Sequence, residues 1–165
     1  MKKILLLVAV FAVFNSYSQE KSRKSPHDTV SSGVTTVTYG RPYKNNREIF
    51  GGLEKFGKVW RVGADEATTI SFSKDVKFGG EGIKAGTYTL FAIPEAKEWT
   101  IILNSQPGQW GAYGYEKNKD KDVTRFKVPV NKLSNVVEQL TIRFASDGSL
   151  IIEWDTTQVS ISLSY

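Results

Sequence analysis

Arg41, Arg47 and Arg61 fall in one irregular stretch rich in glycine and charge, with Asp65 and Glu66 close behind. A guanidinium fork matches a carboxylate, sulfate or phosphate with two parallel hydrogen bonds. Tyr43, Trp60 and Trp110 could offer flat faces to sugars or other rings, and Tyr115 ends the second aromatic segment. Such groups, carried on loops above a rigid sheet, would make a cleft for a small anion or a glycan. The candidate ligand-binding residues are therefore Arg41, Arg47, Trp60, Arg61, Asp65, Glu66, Trp110 and Tyr115. The same residues also allow an architectural reading. An irregular stretch leaves carbonyls without sheet partners, buried arginines donate to them, and Asp65 or Glu66 neutralises the charge. Ion-pair networks of that kind are as common as functional ones.

Other chemistries find weaker support. Asp65 and Glu66 could act as the carboxylate pair of a glycoside hydrolase, but such a pair must face one bond across roughly 5 to 9.5 Å. Neighbours on an extended chain point to opposite faces, so one of them would have to work with Glu48 or Glu54 instead. Asn118, Asp120 and Asp122 imitate the start of a calcium loop, which then fails at Val123 and Pro129, where glycine and glutamate are required. Lys117, Lys119 and Lys121 cancel the charge a cation would need. His27 is the only histidine and there is no cysteine, so neither a catalytic triad nor a thiolate metal site can be assembled. Gly79, Gly80, Gly82 and Gly86 are turn glycines, because no Lys-Ser/Thr follows them and no helix opens. These residues call for no metal, no cofactor and no catalytic residue.

The elements that must position the candidates read as short strands. Val34–Tyr39, Thr68–Phe72, Val76–Phe78, Thr87–Ile93, Trp99–Leu103, Arg125–Val130, Val137–Ala145, Leu150–Trp154 and Val159–Leu163 are β-branched, aromatic or alternating. Turn signals separate them, among them Pro94 and the pair Asp147-Gly148. The spacing predicts an all-β, antiparallel sandwich or jelly roll with little helix, a turn or two of helix being placed around Lys132–Glu138. Trp99 and Trp154, on strands, read as core aromatics, and Trp110, between glycines, as exposed.

The chain has 165 residues. It opens with Lys2 and Lys3, an apolar run from Ile4 to Phe14 and small residues at Ser16 and Ser18. This is the pattern of a cleavable signal peptide, with cleavage expected after Ser18. The run is too short to span a membrane, which takes roughly 20 residues. No cysteine is present to carry a lipid. Residues 19–26 read as a mobile lead-in and 27–165 as a single domain. The leader removes two of 22 basic residues and none of 17 acidic ones, so the net charge falls from +5 to +3. That value gives no nucleic-acid footprint.

Several segments then carry a resemblance. Tyr39-Gly-Arg-Pro42, Ile49-Phe-Gly-Gly-Leu53, the string from Val59 to Thr68 (Val-Trp-Arg-Val-Gly-Ala-Asp-Glu-Ala-Thr) and Ala85-Gly-Thr-Tyr-Thr-Leu-Phe91 resemble the bacterial domain-of-unknown-function family 2911. The likeness runs from about Ser25 to the C-terminus and departs at Asp65, where the family pattern favours Asn. It implies an exported β domain and transfers no functional residue.

Residues and resemblance together describe an exported, periplasmic or secreted β module that is not lipid-anchored. The first expectation is binding of a small anionic or glycan ligand, or of an envelope partner, through residues 41–66 and the Trp110–Tyr115 loop. Two rival expectations are an envelope glycan hydrolase using Asp65 or Glu66, and a structural module whose arginines are internal scaffold and which works through a sheet edge.

Overall fold

The computed structural model describes residues 23–165; the expected signal peptide and the first part of the lead-in lie outside the described residues. The protein is all-β and antiparallel with little helix. Its main sheet contains seven strands: β1 (His27–Ser32), β2 (Thr35–Gly40), β3 (Thr69–Phe72), β6 (Gly86–Pro94), β7 (Glu98–Asn104), β8 (Asp122–Phe144) and β9 (Leu150–Ile161), in the order β1-β2-β3-β6-β7-β8-β9. A small sheet of β4 (Val76–Phe78), β5 (Glu81–Ile83) and β10 (Leu163–Ser164) completes the set. Residues Tyr115–Asn118 form a single turn of α-helix, α1.

Alternation decides which face of each outer strand is inward. On β2, Thr35, Val37 and Tyr39 are buried, and on β3, Ile70 and Phe72. The middle strands are buried on both faces. Leu90, Phe91 and Ala92 on β6 and Ile101, Ile102 and Leu103 on β7 are all inaccessible, and such strands read as continuous apolar runs. Leu90, Ala92, Ile101 and Leu103 join the main core. Phe91 and Ile102 pack on the other side against Ala67 and Tyr115.

The sheet curls back on itself through the segment after β2. Leu140 N–H donates to the Pro42 carbonyl (3.0 Å) and Lys44 N–H to that of Glu138 (2.7 Å), so residues 42–44 lie along the second half of β8. Tyr39 pins this closure. Its hydroxyl accepts from Ile142 N–H (2.9 Å) and donates to the Ile142 carbonyl (3.3 Å), both in the core.

Four elements differ from the sequence expectation: β5, which holds Gly82, expected as a turn glycine, the helical turn α1, and two more. Lys132–Glu138 is not helical. It is the bend of β8, where the register to β9 shifts between Lys132 and Val137 and again before Thr141. Bulges put extra residues in one strand and break the two-residue period, which is why the pattern there looked ambiguous. His27–Ser32 is a strand that hydrophobicity did not announce. Hydroxyl pairs across the hairpin, Thr29 with Thr38 (3.0 Å) and Ser31 with Thr36 (2.9 Å), stitch it to β2.

Candidate functional site

Residues 41–68 run between β2 and β3 and are held by core anchors. Beyond the first residue of β3, Trp60 takes the open place beside β6: its N–H donates to the Ala92 carbonyl (2.7 Å) and its carbonyl accepts from Ala92 N–H (3.0 Å). Its indole then packs with Phe50, Trp99 and Trp154, with ring centroids 5.5, 5.6 and 6.2 Å away. Trp60 is thus a core residue, 2% exposed, and offers no face to a ligand.

The next turn is strained. Val62 and Asp65 have φ of 55° and 63°, a region that costs a β-branched residue of order 1–3 kcal/mol. Thr68 Oγ1 donates to the Val62 carbonyl (2.7 Å) and locks the turn. Gly40 makes room for it, because a Cβ there would stand 2.3 Å from the Ala64 carbonyl oxygen.

The three arginines separate into three roles. Arg41 is architectural: it donates to the Leu140 carbonyl, to Thr141 Oγ1 and to Asp28, each at 3.1 Å. Arg47 folds over its own loop and donates to the carbonyls of Lys44 (2.8 Å) and Tyr43. The third, Arg61, has a buried Nε with no hydrogen-bond partner among the described residues, and Asp65 Oδ2 is in the same condition. Both residues line one hollow of about 380 Å³, within the size range of small-molecule sites.

This first hollow is lined further by Lys24, Arg47, Asn45 and Glu54, and by the half-exposed Tyr43 and Leu53. Burial pushes the Glu54 carboxyl above its ordinary range, against the opposing pull of Arg61 and Arg47. The sequence marked Glu54 only as a candidate partner carboxylate for Asp65 or Glu66, and it did not mark Asn45 or Lys24. Glu54 comes to the wall because its N–H closes a turn onto the Ile49 carbonyl (2.8 Å) and its carbonyl accepts from Gly51 (2.8 Å).

Asp65 and Glu66 part company. Glu66 lines a separate hollow with His27, Thr69 and Gln109. Its carboxylate meets Arg23 at 2.8 Å and His27 Nε2 at 3.2 Å. Burial pushes the Glu66 pKa up, but the Arg23 hydrogen bond and the neighbouring positive charges outweigh it and hold the pKa below the ordinary value. The two adjacent carboxylates therefore do not face one substrate bond.

The second aromatic segment supports the site from behind. Gly111 N–H donates to the Asp65 carbonyl (3.0 Å) and Ala67 N–H to that of Gln109 (2.9 Å). Trp110 is 42% exposed beside this contact. Tyr115 is buried: its hydroxyl donates to Asp122 (2.6 Å) and accepts from Arg125 (2.6 Å). Burial and Asp122 push its pKa up to about 12. Neither Trp110 nor Tyr115 lines the first hollow.

Residues 23–26, expected as part of a mobile lead-in, lie against the body. Lys24 and Ser25 line the first hollow, and the Pro26 carbonyl accepts from Arg41 N–H at 2.7 Å. Among the described residues no helix is long and apolar enough to cross a membrane, and no group of three or more acidic, His or Cys side chains could hold a metal ion.

A family model described as "Protein of unknown function (DUF2911)" matches residues 21–163. No curated protein and no solved structure matches the chain.

Proposed function

The chain belongs to the DUF2911 family, and we propose from its geometry that it is an exported binding module whose first hollow takes a small acidic sugar. One observation carries this reading. Arg61 Nε and Asp65 Oδ2, a buried donor and a buried acceptor, lack partners among the described residues and line the same hollow. Leaving such atoms unmade costs of order 1–3 kcal/mol each, more when charged, and a ligand that supplies the partners recovers it.

The chemistry of the wall narrows the ligand. Arg61, Arg47 and Lys24 favour a carboxylate, while Asp65, Glu54 and Asn45 are placed to accept from or donate to hydroxyls. Tyr43 and Leu53 give apolar surface for the C–H faces of a ring. Three positive groups against two negative ones make the hollow only mildly attractive to anions, which favours a singly charged, hydroxyl-rich molecule over sulfate or phosphate. Export rests on the leader pattern in residues 1–18.

Thermal melting with a panel of glucose, glucuronate, sulfate and phosphate tests the reading. Saturating glucuronate at a hundredfold its Kd stabilises by about 2.7 kcal/mol, roughly 5–10 °C for a domain of this length. A response to glucuronate that is absent in Arg61→Met supports the proposal. No shift with any member of the panel contradicts it.

A second reading keeps the same hollow and makes it catalytic. The raised pKa of Glu54 suits a general acid, and Asp65 is on the same wall. Under this reading Glu54 and Asp65 replace the pair Asp65 and Glu66. Turnover of chromogenic glycosides, lost in Glu54→Gln, would distinguish a hydrolase from a binding module.

A further inference from the structure

A second hollow of about 290 Å³ has the opposite character. Three carboxylates, Glu48, Glu95 and Asp155, stand on its wall against one cation, Lys132. Asp155 is already engaged by Lys44 at 3.4 Å. Glu48 and Glu95 have no ion pair among the described residues. Acidic side chains clustered at a surface are commonly just solvated, so the cluster alone identifies nothing.

The floor supplies the independent sign. Trp99 lines this hollow, is fully buried, and has an indole N–H without an acceptor among the described residues. A buried indole N–H nearly always finds an acceptor. Phe50 and the half-exposed Phe56 line the hollow as well. Aromatic faces beside carboxylates attract organic cations, through the ring quadrupole and through charge. The Trp99 donor asks in addition for an oxygen close to that cation.

The two hollows share a wall. Arg47 lines the first and Glu48 the second; Trp154 lines the first and Asp155 the second; Leu53 and Phe56, on one loop, face the first and second in turn. We propose that the second hollow is a site for an ammonium group carried next to a hydroxyl or carbonyl oxygen, as in an amino sugar. The ammonium site stands independently of the acid site proposed for the first hollow.

In this arrangement the ammonium donates hydrogen bonds to Glu48 and Glu95, a ring face lies on Phe56, and an adjacent oxygen accepts from Trp99. A simple alkylamine satisfies only the carboxylates, and a neutral sugar only the indole. Both therefore bind more weakly than the amino sugar.

Calorimetric titration of the full chain with glucosamine, glucose and butylamine tests the site. Glucosamine binds best, and the double variant Glu48→Gln, Glu95→Gln weakens it about tenfold or more, the loss expected when charge-assisted contacts become neutral. Lys132→Ala tightens it, because a repelling charge is removed. Both substitutions are on the hollow's rim, and a melting curve for each variant confirms that it is folded. Glucosamine affinity equal to that of butylamine, or unchanged in both variants, overturns the proposal. Separate titration with glucuronate keeps the two readings apart. Glucosamine binding without glucuronate binding removes the acid site and spares the ammonium site, while the reverse removes only the ammonium site.

Discussion

Arg41 and Arg61 should respond oppositely to the same substitution. Arg41→Met removes donors to the Leu140 carbonyl, Thr141 Oγ1 and Asp28. The ion pair is worth little, because the Arg41 side chain is 27% exposed and that of Asp28 39%, and solvent screens it. The Leu140 carbonyl is the heavier loss: a part-buried acceptor without its donor costs about 1–2 kcal/mol. With the Thr141 contact, Arg41→Met should cost roughly 2–3 kcal/mol, or about 5–10 °C in melting temperature. Arg61→Met loses no hydrogen bond among the described residues and relieves a partly buried charge. Its stability should stay within about 0.5 kcal/mol of the parent or rise. Urea unfolding followed by tryptophan fluorescence measures both, since Trp60, Trp99 and Trp154 share the core. Equal losses in the two variants would refute the division of roles, because Arg61 would then be scaffold like Arg41.

Four further outcomes are expected. Tyr39→Phe strands the Ile142 N–H in the core and should cost about 1–3 kcal/mol, read from the urea midpoint. Gly40→Ala drives a methyl to 2.3 Å from the Ala64 carbonyl oxygen, which is backbone and cannot move aside; poor expression or a melting temperature lowered by more than 10 °C, roughly 3 kcal/mol or more, follows. Glu54 has its folded pKa raised, so it binds more protons folded than unfolded and costs stability once the pH exceeds its folded value. Glu54→Gln should therefore stabilise at pH 7 and also strengthen glucuronate binding, both measurable in one melting series. Tyr115 is held protonated up to about pH 12, so between pH 10 and 12 the unfolded chain loses this proton first and folding stability falls; Tyr115→Phe should flatten that alkaline decline.

Much of the sheet was legible because its strands bury one face or both. The alternation of Val37 and Tyr39, and the apolar runs around Phe91 and Ile102, could mean little else. His27–Ser32 escaped notice because hydroxyl pairs, not apolar packing, hold it to β2. The bend at Lys132–Glu138 escaped because bulges erase the period. At the site, sequence proximity brought out the arginines but could not sort them. That Arg41 meets the Leu140 carbonyl depends on the approach of residues 42–44 to β8, a contact made far along the chain. Trp60 misled for a related reason: an aromatic in an irregular segment looks exposed until the start of β3 leaves a place beside β6 for it to fill. The parting of Asp65 from Glu66 was foreseeable from strand geometry, although Asp65 is not extended; the strained turn still sends the two to different hollows. Glu54 was named only as one of two candidate partner carboxylates, because nothing short of the turn from Ile49 shows that it, and not Glu48, reaches the wall beside Asp65.

The most direct measurement is the Nε–H resonance of each arginine in a ¹⁵N-labelled sample titrated with glucuronate. The Arg61 signal should move and saturate, while that of Arg41, already bonded to the Leu140 carbonyl, stays in place. A stationary Arg61 signal, or equal movement of both, would contradict the claim that the first hollow is built around Arg61 to hold an acid.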